Sequence, residues 1–358
     1  MRLSDAYTSK AIAIRNTEVG SNKIGYLGAG LFPSKKKMGL DLKWIRTSKG
    51  LPVSLAPSAF DTVSTIRSRE GIKIDETEMA FFKESMLVKE ADEQEILRVK
   101  DASDPYAQDV LDRIFDDANT LIDGADVVPE RMRMQLLSSN GGHPSISISV
   151  VGGATYAYNY DPNNEYSATN YMDVSTDDDD KWSAVATADP MGDIATALDS
   201  VEAVSGTRPN ALIVSRLTMN YIKQNAKVKS AILAQNATAV IEVTDANVAS
   251  IVKARTGLTI VIYDKMYIDE QGNEQYFYPD NKVTLLPEGA LGKTWFGTTP
   301  EERTARQVAD VDVAMYGKGI AVATKTEYGP PALTSVTVSE IVLPSYEGMD
   351  STFVLEVK

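Results

Sequence analysis

"VIYDKMYIDEQGNEQYFYPDNKVTLLPEGALGKTWFGTTPEE" fills residues 261–302. Val261, Ile262 and Tyr263 read as a strand, and 265–278 read as a hairpin turning at Gly272-Asn273, a pair suited to tight reversal. Pro279-Asp280-Asn281 end the hairpin, and Val283 to Leu286 give a second strand. Gly289 and Gly292 then punctuate the chain ahead of Trp295, Phe296 and Gly297. The final part, from Leu286 to Glu302, holds turn formers, two aromatics and an acidic end, but no obvious catalytic set. Such a segment serves shape and assembly. Gly289, Gly292 and Gly297 are expected to supply turns that side chains would obstruct, with Trp295 and Phe296 as packing anchors.

Upstream, Leu40, Leu42 and Trp44 alternate with polar neighbours, "LPVSL" and "TVSTIRS" continue in β-branched residues, and Ile72 alternates with Ile74. Pro52 and Pro57 punctuate this run as the far end of a long hairpin. So long a loop is uncommon within a compact domain, and fits one laid over a neighbouring subunit. Residues 1–38 show no sustained period; "GYLGAGLFPSKKKMG" reads as an extended arm closing in a basic turn. After Asp104 and Pro105, the residues Val110, Leu111, Ile114, Phe115, Ala118, Leu121, Ile122 and Ala125 recur at helical spacing. Gly124 and Pro129 interrupt that face, so 105–138 is either two helices or one kinked helix. An α/β stretch follows. A helix is expected at 190–204, the strand "NALIVS" at 210–215, one helix over "RLTMNYIKQNAKVKSAIL", another over "TDANVASIVKARTG", and the strand "LTIVIYD". "DPNNEYSATN" and "VSTDDDDKW" read as loops, and the C-terminal third reads as strands.

The 358 residues carry 43% hydrophobic side chains, ample for a sizeable core, and the length allows two or three domains. The formal charge is −14, which disfavours a dedicated DNA-binding protein. Residues 1–50 hold 10 basic and 3 acidic side chains, so +7 sits there and −21 on the rest. A basic arm on an acidic body suits pairing between subunits; a solvated tail reads equally well. Sixteen tyrosines against eight phenylalanines suit part-exposed contact surface. With no cysteine and one histidine, disulfides, thiolate metal sites and multi-histidine metal clusters are excluded. The N-terminus lacks the apolar core of a signal peptide, and no run approaches the roughly 20 apolar residues of a membrane span.

His143, beside Pro144 at a turn, has no serine-elbow motif near it and reads as an ordinary turn histidine. The acidic run 177–180 lacks the glycine and spaced oxygens of a calcium loop. Gly25, Gly28 and Gly30 are misordered for a dinucleotide fingerprint. Lys35, Lys36 and Lys37 would touch an acidic neighbour or nucleic acid. No enzyme, cofactor or metal emerges.

In order, the 261–302 segment, the "LAP" step at Leu55-Ala56-Pro57, the helix after "DASDPYA", and "DPMGDIATAL" followed by "PNALIVS" resemble the major capsid protein E family of tailed bacteriophages, the lambda-like major head proteins. The resemblance covers most of the chain. It implies an α+β fold of the Hong Kong 97 type: an N-terminal arm (1–38), a long β-hairpin E-loop (39–87), a peripheral domain with a spine helix (88–188), an axial domain (189–300) and a return to the peripheral domain in C-terminal strands (301–358). It implies a structural head protein that assembles with itself into hexamers and pentamers of an icosahedral shell around double-stranded DNA. Scaffold or decoration proteins and a portal would be its other partners. The capsid would be its location, built in the host cytoplasm without a membrane. The assembly residues on this reading are Lys35, Lys36, Lys37, Trp44, Pro57, Gly289, Gly292, Trp295, Phe296 and Gly297. Deleting 1–38 should then leave a folded subunit that fails to close shells. An encapsulin-like compartment shell is the alternative, and an α/β enzyme using His143 or the 177–180 loop a third.

Overall fold

The computed structural model describes residues 8–19, 25–45, 74–88, 105–149, 155–235, 243–305, 312–327 and 333–358. The chain divides into two compact units. One takes Met1–Lys43, Glu76–Met132 and Gly292–Ser345; the other takes Trp44–Asp75, Arg133–Leu291 and Tyr346–Lys358.

The first unit is built on a six-stranded sheet whose organising strand is Leu333–Ser345. Along one edge it pairs antiparallel with Ile320–Glu327 and then with Lys293–Phe296; along the other it pairs with Ala80–Val88. Asp312–Tyr316 extends the sheet beyond Ile320–Glu327, and Ser34–Lys36 adds in parallel beside Lys293–Phe296. Val322, Val336 and Val338 face a core completed by Phe115, Ala118, Leu121 and Ile122 of a long helix. That alternation in the strands and the three-and-four spacing in the helix are what the sequence pattern requires of two faces meeting.

The helix is one element, Pro105–Ser138, with Pro129 inside it. A proline there removes one backbone donor and crowds the carbonyl four residues back. Burial of Leu121, Ile122, Met132, Leu136 and Leu137 on either side of Pro129 offsets that local cost. The chain passes from the first unit to the second within this helix.

The second unit centres on a five-stranded sheet in the order Tyr171–Asp173, Phe353–Glu356, Lys282–Leu286, Ala211–Val214, Thr259–Ile262. Lys282–Leu286 is wholly buried, as befits its central place. Helices Pro190–Ser205, Arg216–Gln224, Ala226–Gln235 and Asp245–Thr256 supply Ile194, Leu198, Val201, Ile222, Val228, Val248 and Val252 to its core. Their ends follow capping chemistry. Asp189, Ser215 and Thr244 accept from backbone N–H groups of the first turns, and Gly206 and Gly257 end two helices at φ +67° and +80°.

Several expectations need correction. Residues 1–38, read as an arm without sustained period and extended over 25–39, contain the helices Ser9–Val19 and Leu27–Leu31; Ile12 of the first helix is buried in the core of the first unit. Lys35 and Lys36 lie in a strand rather than a turn. Residues 80–87, placed within the E-loop, lie with Val88 in a strand of the main sheet, in which Ala80 and Val88 are buried. The helix expected over 216–233 breaks at Asn225, whose side-chain oxygen accepts from Lys227 and Val228 N–H while its amide donates to the Ala188 carbonyl. Glu165–Thr169, read as loop, is a short helix whose Glu165 and Tyr166 N–H groups donate to the Asp161 carboxylate. The C-terminal strand Phe353–Glu356 belongs to the second unit's sheet. Tyr166, Tyr278 and Tyr346 are fully buried, with hydroxyls bonded to Thr352 and Thr284, and burial pushes all three phenols far above their ordinary range. These tyrosines serve the interior rather than contact surface.

Candidate assembly surfaces

The basic strand and the aromatic strand, far apart in sequence, are neighbours. Ser34–Lys36 runs parallel to Lys293–Phe296 with Lys35 opposite Trp295 and Lys36 opposite Phe296. The Lys37 N–H donates to the Phe296 carbonyl at 2.8 Å, continuing the ladder. Phe32 is buried just ahead of the strand, and its carbonyl accepts from Thr294 Oγ1 at 3.0 Å. The structure thus brings together Lys35, Lys36, Lys37, Trp295, Phe296 and Gly297 of the expected assembly residues.

The three lysines differ in what they touch. Lys36 Nζ lies 2.6 Å from a Glu302 carboxylate oxygen, and Lys37 Nζ donates to the Asp41 carbonyl at 2.8 Å. Lys35 is exposed and makes no ion pair among the described residues. Glu302 belongs to the helix Pro300–Ala305, and its neighbour Glu301 pairs with Lys83 at 2.7 Å and accepts from Ser339 Oγ at 2.7 Å. Desolvation works to raise the Glu301 carboxyl, but those bonds outweigh it and hold it below the usual carboxylate range. Adjacent acids therefore fasten this helix to the basic strand on one side and to the sheet on the other. Only the spacing of "PEE" after "KTWFG" hints at this pairing in the sequence.

The glycines do two different jobs. Gly289 has φ +99° with open space around it, so it supplies a turn. At Gly292 a Cβ would overlap the Ser345 carbonyl oxygen and stand 3.1 Å from the Phe32 ring. At Gly297 a Cβ would stand 2.7 Å from Ile341 and 3.0 Å from the Gly39 carbonyl oxygen. These two are glycine for close approach, not for turning.

Phe296 is buried, while Trp295 is half-buried with Nε1 donating to Ser345 Oγ at 3.1 Å. Trp295→Ala is expected to cost about 2 kcal/mol, below the roughly 3–5 of a fully buried tryptophan. Urea unfolding of the variant checks this, and an unchanged midpoint would leave the ring no packing role. Trp44 lies in the strand Asp41–Ile45, which pairs with Ile74–Glu78; its side chain, and Pro57, lie outside the described residues, as do "LPVSL" and "TVSTIRS".

The remaining chemical candidates are structural. His143 follows the turn Gly141-Gly142, with Nδ1 3.6 Å from an oxygen of Asp161, and Asp161 is already engaged by the N–H groups of Glu165, Tyr166 and Ser167. In the 177–180 run, Asp178 pairs with Lys181 at 2.5 Å and Asp177 accepts from the Asp179 N–H. Among the described residues no group of three or more His, Asp or Glu is placed to hold a metal ion, and no helix is long and apolar enough to cross a membrane.

No curated protein sequence matches the chain. A phage-related protein from Bordetella bronchiseptica RB50 is 14% identical, with 98% of this chain and 97% of that one covered at a TM-score of 0.53. A protein assigned as a prophage capsid protein from E. coli CFT073 is 15% identical, with 98% and 99% covered at a TM-score of 0.60. Residues 13–324 match the model of the phage major capsid protein E family. With that match spanning most of its length, the chain belongs to the phage major capsid protein E family.

Proposed function

We propose that copies of this chain assemble into hexamers and pentamers that close an icosahedral shell around double-stranded phage DNA. The family match over 13–324 carries the reading. As a member of that family the chain is a structural component of the virion capsid, not an enzyme, and the match turns the reading away from a cellular compartment shell. The first compact unit is the peripheral domain and the second the axial domain. The strands Asp41–Ile45 and Ile74–Glu78 are the paired stems of an E-loop that crosses to a neighbour. Assembly takes place in the host cytoplasm with a scaffold or decoration protein and a portal. Many modest contacts sum through multivalency, so a shell is stable although each interface is weak. Since Lys36 and Lys37 are engaged within the subunit, the basic triplet is a fastening of the chain to itself more than a grip on DNA.

Negative-stain electron microscopy with light scattering on the full chain, alone and co-expressed with the head genes of its phage, tests the proposal. Uniform shells or six-fold rings are the expected result. A persistent monomer under both conditions would overturn it.

A further inference from the structure

Asn140-Gly141 is the only asparagine–glycine pair in the sequence, and the fold leaves both residues exposed. They open the turn Asn140-Gly141-Gly142-His143, just beyond the long helix. Asn140 and His143 are joined by two hydrogen bonds, each N–H donating to the other's carbonyl at 3.0 Å. Gly141 and Gly142 reverse the chain between them at φ +56° and +81°. A Cβ at Gly141 would meet nothing within 4 Å, and its N–H makes no hydrogen bond among the described residues.

That nitrogen stands next to an electrophile. The backbone nitrogen after an asparagine can close on its Cγ in a five-membered ring, and an attack within one molecule runs at high effective concentration. A side chain on the following residue crowds the approach, and glycine has none. Other exposed asparagines are followed by a bulkier residue whose N–H is already committed. After Asn159, the Tyr160 N–H donates to the Pro144 carbonyl at 3.0 Å. After Asn163, the Asn164 N–H donates to the Asp161 carbonyl at 3.2 Å. After Asn164, the Glu165 N–H donates to the Asp161 carboxylate at 2.8 Å.

We propose that Asn140 is a self-modifying site, which exchanges its side-chain amide for a carboxylate through a cyclic imide formed with Gly141. The Gly141 nitrogen bonds to the Asn140 Cγ and passes its proton through solvent to the side-chain nitrogen. The bond from Cγ to that nitrogen then breaks, and ammonia leaves. One water opens the ring. Its addition at Cγ leaves an aspartate at 140; addition at the backbone carbonyl leaves an isoaspartate, whose main chain runs through Cβ.

The isoaspartate adds one backbone atom to a turn whose flanks are held. Upstream, Ser139 is buried and its carbonyl accepts from Lys282 Nζ. Downstream, Gly142 lies so close to the Tyr171 ring that a Cβ would stand 2.7 Å from it, and the Tyr171 hydroxyl donates to Glu356 at 2.8 Å. The extra atom therefore parts the Asn140–His143 hydrogen bonds. The step from the long helix into the strand Ser145–Ser149 loosens as the protein ages. This chemistry needs no assembly and stands apart from the shell reading.

The test is to age the folded, full chain at neutral pH in heavy-oxygen water and map its peptides by mass spectrometry. Asn140 is expected to convert before any other asparagine, to a mixture of aspartate and isoaspartate carrying solvent oxygen. Asn140→Gln, whose ring would need a sixth member, is expected to lose the conversion while keeping the fold. An intact Asn140 in aged protein, or another asparagine converting first, would overturn the proposal. His143, the only histidine, gives a single imidazole signal by nuclear magnetic resonance. That signal is expected to move in the isoaspartate fraction, and an unmoved signal would refute the loosened turn.

Discussion

Gly292→Ala is expected to abolish soluble, folded protein, although the substitution adds a single methyl group. The new Cβ would coincide with the carbonyl group of Ser345, 2.8 Å from its carbon and closer still to its oxygen. Backbone atoms cannot swing aside as a side-chain tip can. Lys293 and Ser345 are register partners, so relief requires parting two strands at the point where the aromatic strand joins the long central one. Phe32, fully buried, blocks the remaining direction at 3.1 Å. Losses above about 4–5 kcal/mol are exceptional for one residue and arise from overpacking of this kind. That is a large share of the roughly 5–15 kcal/mol that holds a domain folded. Gly289→Ala serves as the comparison, because its Cβ meets nothing and only the left-handed backbone is strained, at about 1–2 kcal/mol. Expression yield, circular dichroism and urea unfolding of both variants decide the matter. A soluble Gly292→Ala protein with an unchanged midpoint would refute the argument.

Gly292 also shows where the sequence is legible and where it is not. The glycines of "LPEGALGKTWFG" stand out at once as sites where side chains are unwelcome, and Gly289 is the turn that reading suggests. For Gly292 and Gly297 the obstruction comes from Ser345 and Ile341, on a strand much further along the chain, and no local pattern reports it. The same division runs through the fold. The short apolar runs in 320–327 and 282–286, the face through Phe115, Ala118, Leu121 and Ile122, and the hairpin at Gly272 are local signals, and each forms the element its pattern suggests. Asn225 breaks a helix because its amide finds the Ala188 carbonyl, a tertiary bond invisible in "NYIKQNAKVK". Pro129 fails to break one because the residues on both sides are already buried. Of the candidate assembly residues, the lysines are legible as a basic cluster, but their engagement by Glu302 and the Asp41 carbonyl is not.

Removing residues 1–38 is expected to unfold the first unit rather than to yield a folded subunit that merely fails to assemble. The deleted stretch contributes Ile12 and Phe32, both fully buried, and truncation of such side chains alone costs about 2–5 kcal/mol each. It also takes away the edge strand Ser34–Lys36 and, with Ser9, a backbone N–H that donates to Asp312 at 2.9 Å. Glu130, buried in the long helix, would lose the Gly28 N–H that donates to it at 3.0 Å, and a buried carboxylate short of a donor is costly. Together these losses match or exceed the roughly 5–15 kcal/mol stability of a typical domain. Circular dichroism and limited proteolysis of the truncated chain give the result directly. A cooperative, protease-resistant truncated protein without shells would restore the view of 1–38 as a dispensable arm. The distinction governs how any assembly defect is interpreted: a chain lacking 1–38 cannot report on assembly if it cannot fold. Charge at this edge is therefore better probed at Lys35, exposed and opposite Trp295, where Lys35→Glu changes the surface without touching the core.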